Sequence, residues 1–284
     1  MKKLRKTLCF FLLFLWAFAS SALPMSLRED LSISLEEKKI KDLSISGVFL
    51  IFYVNISNSS SSPYYLSSYD YRFVVNQKEY FRLSNFLEEY IRIEARGKTL
   101  LSFPLRITYA HLFRAVEGIE KKDKAQCYLT GAMTFSNNRK EKGRLPFAFS
   151  GEFPIFKKPE IEFLALQVKE MTIGGADLSF KMSFKNSNAF ELLVDRIGYG
   201  FQLGGQLVGE GIIRGDKNIE SGEIRVFSIP FLLSFFEVGK EVCSELRQPS
   251  ALCRFFGNIE ARTAWGRIKI PFDKSEKVSI SRSP

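Results

Sequence analysis

Between Asp177 and Pro230, apolar and polar residues alternate with a period of two. Leu178, Phe180, Met182 and Phe184 alternate with Ser179, Lys181 and Ser183. Asn186-Ser187-Asn188 interrupts the pattern, which resumes through Ile197, Tyr199, Phe201 and Leu203 until Gly204-Gly205 breaks it again. Successive side chains of a strand point to opposite faces, so this pattern predicts half-buried antiparallel strands joined by tight turns. Asn suits a turn because its side chain bonds nearby backbone, and a Gly pair suits a hairpin that needs positive φ. Asn186, Asn188, Gly198, Gly204 and Gly205 are the expected turn residues of this stretch.

The rest of the chain reads in the same way. Leu31, Ile33 and Leu35 alternate with polar residues, and a charged loop over 36–41 is expected to separate them from the next strand. Gly47 to Ile56 is the most apolar run after the N-terminal segment and predicts a buried central strand. Asn58 to Pro63 predicts a turn, with Asn58 as its first residue. A hairpin about Asn76-Gln77-Lys78 is expected to join Tyr69–Val75 to Tyr80–Leu83. From Thr108 the period lengthens, and Leu112, Ala115 or Val116, and Ile119 predict a short amphipathic helix. Strands resume from Gln126, with a hairpin loop over 137–143. Pro154 and Pro159 stiffen a linker over 153–159. Beyond Pro230, the residues Phe231, Phe235, Val238, Val242 and Leu246 share one helical face, and a hairpin around Trp265-Gly266 closes the chain.

The two halves align. Asn58 matches Asn186 at an offset of 128, and Phe103-Pro104 matches Ile229-Pro230 at 126. Cys127 matches Cys253 at 126, and Pro146-Phe147 matches Pro271-Phe272 at 125. The order and near-constant offset predict duplication of a whole domain, giving two tandem antiparallel β-sandwich domains over 27–155 and 159–284. The drift in offset is expected in loops.

Composition agrees with a folded, β-rich chain. Of 284 residues, 45% are hydrophobic, 25% are charged and 28 are Phe. The first 22 residues differ from the rest. Lys2, Lys3, Arg5 and Lys6 precede an apolar run from Leu8 to Ala19, and small residues stand at Ser20-Ser21-Ala22. This is the pattern of a secretory signal peptide, cleaved after Ala22 or retained as an uncleaved anchor. Its four basic residues account for part of the net charge of +10. The remaining excess is mild and unclustered, which argues against a nucleic-acid partner.

Catalytic chemistry finds little purchase. His111 is the one histidine, so neither a Ser-His-Asp triad nor a zinc cluster is expected. The glycines from Gly198 to Gly215 miss the dinucleotide spacing and precede no helix. Glu88 and Glu89 are adjacent, so in a strand they would face opposite sides. No catalytic residue, metal site or cofactor is expected. Cys243 and Cys253 could close a disulfide in an oxidising compartment, the alternative being two buried thiols. Cys127 has no cysteine partner at the corresponding place and is expected to occupy the same core position as Cys253.

Taken together, Phe184-Lys-Asn186-Ser-Asn188-Ala-Phe190, Leu193-Val-Asp-Arg-Ile-Gly-Tyr199 and Leu203-Gly-Gly-Gln-Leu-Val-Gly-Glu-Gly211 resemble the group 2 late-embryogenesis-abundant family, or WHy (water stress and hypersensitive response) domain. That family's Asn-Pro-Asn turn stands here as Asn186-Ser187-Asn188. The resemblance covers 161–280, and it reaches 31–155 through the repeat. It implies small fibronectin III-like sandwiches, each with a short helix and without a catalytic site, and a non-enzymatic role in desiccation or osmotic stress. For an exported chain this means a periplasmic or envelope-associated stress-protective protein acting on client proteins or a membrane surface. The alternative is an interaction module that binds an envelope protein, lipid or glycan, motivated by Tyr64, Tyr65, Tyr69, Tyr71 and Tyr80.

Overall fold

The computed structural model describes residues 25–137 and 142–282. The N-terminal segment expected to be a signal peptide and the tip of the expected 137–143 hairpin lie outside them. The protein is mainly β. A short helix α1 (Met25–Asp30) precedes β1 (Leu31–Ser44), β2 (Gly47–Asn58), β3 (Tyr64–Val75), β4 (Lys78–Ile93) and β5 (Lys98–Thr108). Helix α2 (Tyr109–Ala115) leads to β6 (Lys124–Asn137) and β7 (Lys142–Pro154). The second half runs β8 (Glu160–Met171), β9 (Gly175–Lys185), β10 (Leu192–Leu203), β11 (Gln206–Ile219) and β12 (Ile224–Ser234). Helices α3 (Phe235–Val238) and α4 (Lys240–Arg247) then precede β13 (Ser250–Thr263) and β14 (Gly266–Arg282).

The period-two pattern becomes two-faced strands. In β2, Leu50, Phe52, Val54 and Ile56 are fully buried, whereas Ile51, Tyr53 and Asn55 between them are half-buried. In the first half a three-stranded sheet, β1-β2-β5, faces a four-stranded sheet, β4-β3-β6-β7. Phe103 of the first sheet meets Tyr69, Tyr71 and Phe147 of the second, with ring centroids 5.4, 5.3 and 5.9 Å away. The second half repeats these orders as β8-β9-β12 and β11-β10-β13-β14. Phe180 there meets Phe201 at 4.8 Å and Phe255 at 5.7 Å across the layers. Ile280–Arg282 at the end of β14 pair in parallel with Leu166–Val168 of β8, joining both layers into one seven-stranded sheet.

The correspondence extends to irregularities. β1 bulges against β2 between Leu35 and Glu37 and between Ile40 and Asp42; β8 bulges against β9 between Phe163 and Ala165 and between Val168 and Glu170. These positions are 128 residues apart. The step in offset from 128 to 126 lies inside a strand, not in a loop. Leu87–Tyr90 bulge from β4 opposite Ser67, whereas residues 215–216 alone bulge from β11 opposite Asp195. A bulge absorbs extra residues without disturbing the pairs on either side.

Two other expectations are corrected. Glu36–Lys41 form no loop: they continue β1, and its two bulges absorb their irregular pattern. The apolar face expected from Phe231 to Leu246 is not one helix. Phe231 and Leu233 point inward from β12, and Gly239, at φ +87°, separates α3 from α4. Within α4, Val242 and Leu246 are one turn apart and buried, so the helix caps the core with one face.

Candidate functional site: asparagine turns and the junction between the halves

Buried polar side chains are informative because each must find its bonds inside the protein. Asn58 and Asn186 are almost completely buried, Asn58 as the last residue of β2 and Asn186 just beyond the end of β9. The Asn186 Nδ2 group donates to the carbonyls of Phe190 (2.8 Å), Ile219 (3.0 Å) and Glu220 (3.2 Å). Its Oδ1 accepts the Asn188 backbone N–H at 3.1 Å. Asn58 makes the corresponding set: Nδ2 donates to Ser62 (2.8 Å), Ile93 (3.4 Å) and Glu94 (2.9 Å), and Oδ1 accepts from the Ser60 N–H at 3.0 Å. Each side chain thus ties the turn after one sheet to the last residues of the edge strand of the other.

Asn188 departs from this symmetry. Its Nδ2 reaches Asn186 Oδ1 at 3.0 Å and the Lys157 carbonyl at 2.9 Å, and its Oδ1 accepts the Lys157 N–H at 2.7 Å. The corresponding residue of the first half, Ser60, bonds within its own turn, to Asn58 Oδ1 and the Ser62 carbonyl. Lys157 lies in the linker, whose neighbours Ile155 and Phe156 are buried. Its Nζ pairs with Asp123 at 2.6 Å, and the Asp123 carbonyl accepts the Ile155 N–H at 2.9 Å. Tyr109 of α2 donates to the Pro154 carbonyl at 2.9 Å. Close by, Lys38, Ile40, Lys124, Glu152, Phe153, Pro154 and Trp265 line an open cleft of about 260 Å³. Lys124 is salt-bridged to Glu152 across it at 2.6 Å. The cleft is smaller than most small-molecule sites, and its charged groups are already engaged, Lys124 with Glu152 and Lys38 with the Glu152 backbone carbonyl.

Gly204 and Gly205 form the β10–β11 hairpin with φ +57° and +86°, as the sequence suggested. The first half makes the same turn without glycine: Asn76 and Gln77 stand at φ +45° and +70°. Asn76 Oδ1 additionally accepts the Gln126 N–H at 3.0 Å. Gly198 is not a turn residue. It lies within β10, paired with Ile212 on one side and Asn258 on the other.

Of the two readings open for Cys243 and Cys253, a bridge or two thiols, the structure has the thiols: Cys127, Cys243 and Cys253 are all free. Cys253 points from β13 into the sandwich, whereas α4 turns Val242 and Leu246 to the core and leaves Cys243 half-buried beside them. Cys127 and Cys253 are fully buried at equivalent places, opposite Val75 and Leu203. Burial pushes both thiols up to about 12. His111 packs against the Tyr80 ring, with centroids 4.7 Å apart. Among the described residues no cluster of His, Cys, Asp and Glu could hold a metal, and no helix is long and apolar enough to cross a membrane.

The outer surface distinguishes the halves. Pro104 of β5 and Pro230 of β12 occupy equivalent edge-strand positions. The outward residues around Pro104 are Lys98, Leu100 and Arg106, but those around Pro230 are Ile224, Val226 and Leu232. Leu232 is 85% exposed, and Phe236 just beyond it and Ile173 on the adjoining turn are 87% and 99% exposed. The sequence signal for this patch is apolar residues on both faces of β12, which the helical spacing from Phe231 to Leu246 obscures at Leu232 and Phe236.

No family model matches the chain, and no curated protein matches it. A protein from Archaeoglobus fulgidus is similar in structure over 43% of this chain and 97% of its own, at 20% identity and a TM-score of 0.33. Red sea bream transglutaminase aligns over 89% of this chain and 32% of its own, at 10% identity and a TM-score of 0.30. The Pseudomonas aeruginosa CupB2 chaperone aligns over 81% of this chain and 93% of its own, at 11% identity and a TM-score of 0.21. At these scores the similarities carry no functional argument.

Proposed function

We propose that the chain is an exported, non-enzymatic protein of the cell envelope, built of two WHy-like sandwiches and protecting client proteins or membranes during water stress. The observation that carries this reading is the buried asparagine clamp, present in both halves at the turn where the family resemblance is concentrated. The buried Asn58, Asn186 and Asn188 spend their hydrogen bonds on the protein's own turns and linker, and the Cys127 and Cys253 thiols are sealed in the cores. These are structural uses of polar groups, which leaves the outer surface as the working part. Drying or freezing a labile enzyme with the purified protein tests the reading. The enzyme should keep more activity than with an equal mass of an inert protein; equal loss in both would sink it.

The exposed apolar residues of the second half favour a second reading, a module that binds a specific envelope partner. Exposed apolar side chains at positions where the equivalent strand carries Lys98 and Arg106 are a feature that interaction sites share. Capture from an envelope extract separates the two readings: one stoichiometric protein supports specific binding, and a diffuse set of clients supports protection.

A further inference from the structure

The linker is held from Pro154 to Lys157. Asn188, itself almost completely buried, takes both the N–H and the C=O of Lys157 with one side chain, and Lys157 Nζ closes on Asp123 of the first half. Ile155 and Phe156 are buried on the approach to this point, and Tyr109 holds Pro154. Ser60, which stands where the first half has its counterpart of Asn188, is too short for such a span and bonds locally. A mobile linker between independent domains would be exposed and rich in unpaired backbone groups; here Phe153 to Phe156 are buried, and backbone groups of Pro154, Ile155 and Lys157 are bonded. We infer that Asn188 is a latch, which converts the second half's turn into a lock on the linker and makes the two halves one rigid, jointly unfolding body. Asn186 shapes the turn, and Asn188 transmits its position across the junction. The consequence is a fixed relation between the outer surfaces of the two halves, so that a client or surface meets both together.

Limited trypsin digestion of the whole protein reads the latch at one bond. Lys157–Lys158 is cleavable, whereas the Lys158 bond is blocked by Pro159. Cleavage requires local release of the backbone that Asn188 holds. Asn188→Ser is the informative variant, because Ser60 shows that serine still bonds the clamp asparagine. In Asn188→Ser, mass spectrometry should show Lys157–Lys158 cleaved at least tenfold faster than in the native protein, with unchanged circular dichroism. An unchanged rate would overturn the proposal. Amide hydrogen exchange of the native protein gives an answer that needs no variant. The Lys157 N–H should exchange at least a hundredfold more slowly than a free amide, and exchange at the free rate would equally overturn it.

Discussion

Asn58 and Asn186 lie 128 residues apart and make matching bonds, each donating to the carbonyl four residues ahead and to the last carbonyls of a strand in the opposite layer. Removing such a side chain leaves buried carbonyls without donors, which costs more than the bonds themselves contribute. Asn58→Ala and Asn186→Ala should each destabilise the protein by about 2–4 kcal/mol, measured by urea denaturation. The near-isosteric Asn186→Asp should be at least as damaging, because it sets carboxylate oxygen against three carbonyls.

The two hairpins make a matched test of backbone strain. Gln77 holds φ +70° at the place where the second half has Gly205. A side chain in this region carries a steric cost that glycine avoids. Gln77→Gly should stabilise the protein by about 0.5–1 kcal/mol, and Gly205→Gln should destabilise it by about as much. Thermal melts of the two variants against the parent would show the opposite signs.

Cys127 and Cys253 should resist alkylation in the native protein at pH 8 while Cys243 reacts. Peptide mass mapping after brief iodoacetamide treatment distinguishes them, and denaturant should expose all three. The same burial makes stability depend on pH. Both thiols are raised from 9.0 to about 12, so above about pH 9 the unfolded chain releases protons that the folded chain keeps. The thiol contribution is complete below pH 9 and is lost as pH rises towards 12, at up to about 1.4 kcal/mol per pH unit per thiol. A Cys127→Ala, Cys253→Ala double variant should show a shallower fall of urea midpoint between pH 8 and 10.5 than the parent.

Leu232→Arg and Phe236→Ala copy the first half's Arg106 and Ala110 onto the second half's apolar patch. Both positions are exposed, so stability should change by no more than about 0.5 kcal/mol. Binding of extract proteins should fall if this surface is used. Unchanged capture by the double variant would remove the patch from the account.

Much of this architecture could be read from the residues because strand period and turn chemistry are local. Asn76, Gly204 and Gly205 announce their hairpins, and the offset between Asn58 and Asn186 announces the repeat. Non-local choices were hidden. Glu36–Lys41 look like a loop because two bulges scramble their alternation, and only pairing with β2 shows them to be strand. Phe231 falls on a helical face with Phe235, yet its strand pairing with Leu178 decides its conformation. Gly198 resembles a corner although its neighbours on both sides are strands. Cys243 and Cys253 are close in sequence, but the direction of α4 keeps them apart in role. The latch at Asn188 depends on a contact with Lys157, 31 residues earlier, and no local pattern encodes that.

The account rests on one clamp used twice, and hydrogen exchange of the side-chain amides of Asn58 and Asn186 tests it most directly. Each Nδ2 group is almost completely buried and bonded to backbone carbonyls on two elements. Both pairs of amide protons should therefore be protected, exchanging only when the folded body that holds them opens. Free exchange at either asparagine, with the surrounding strands still protected, would contradict the account.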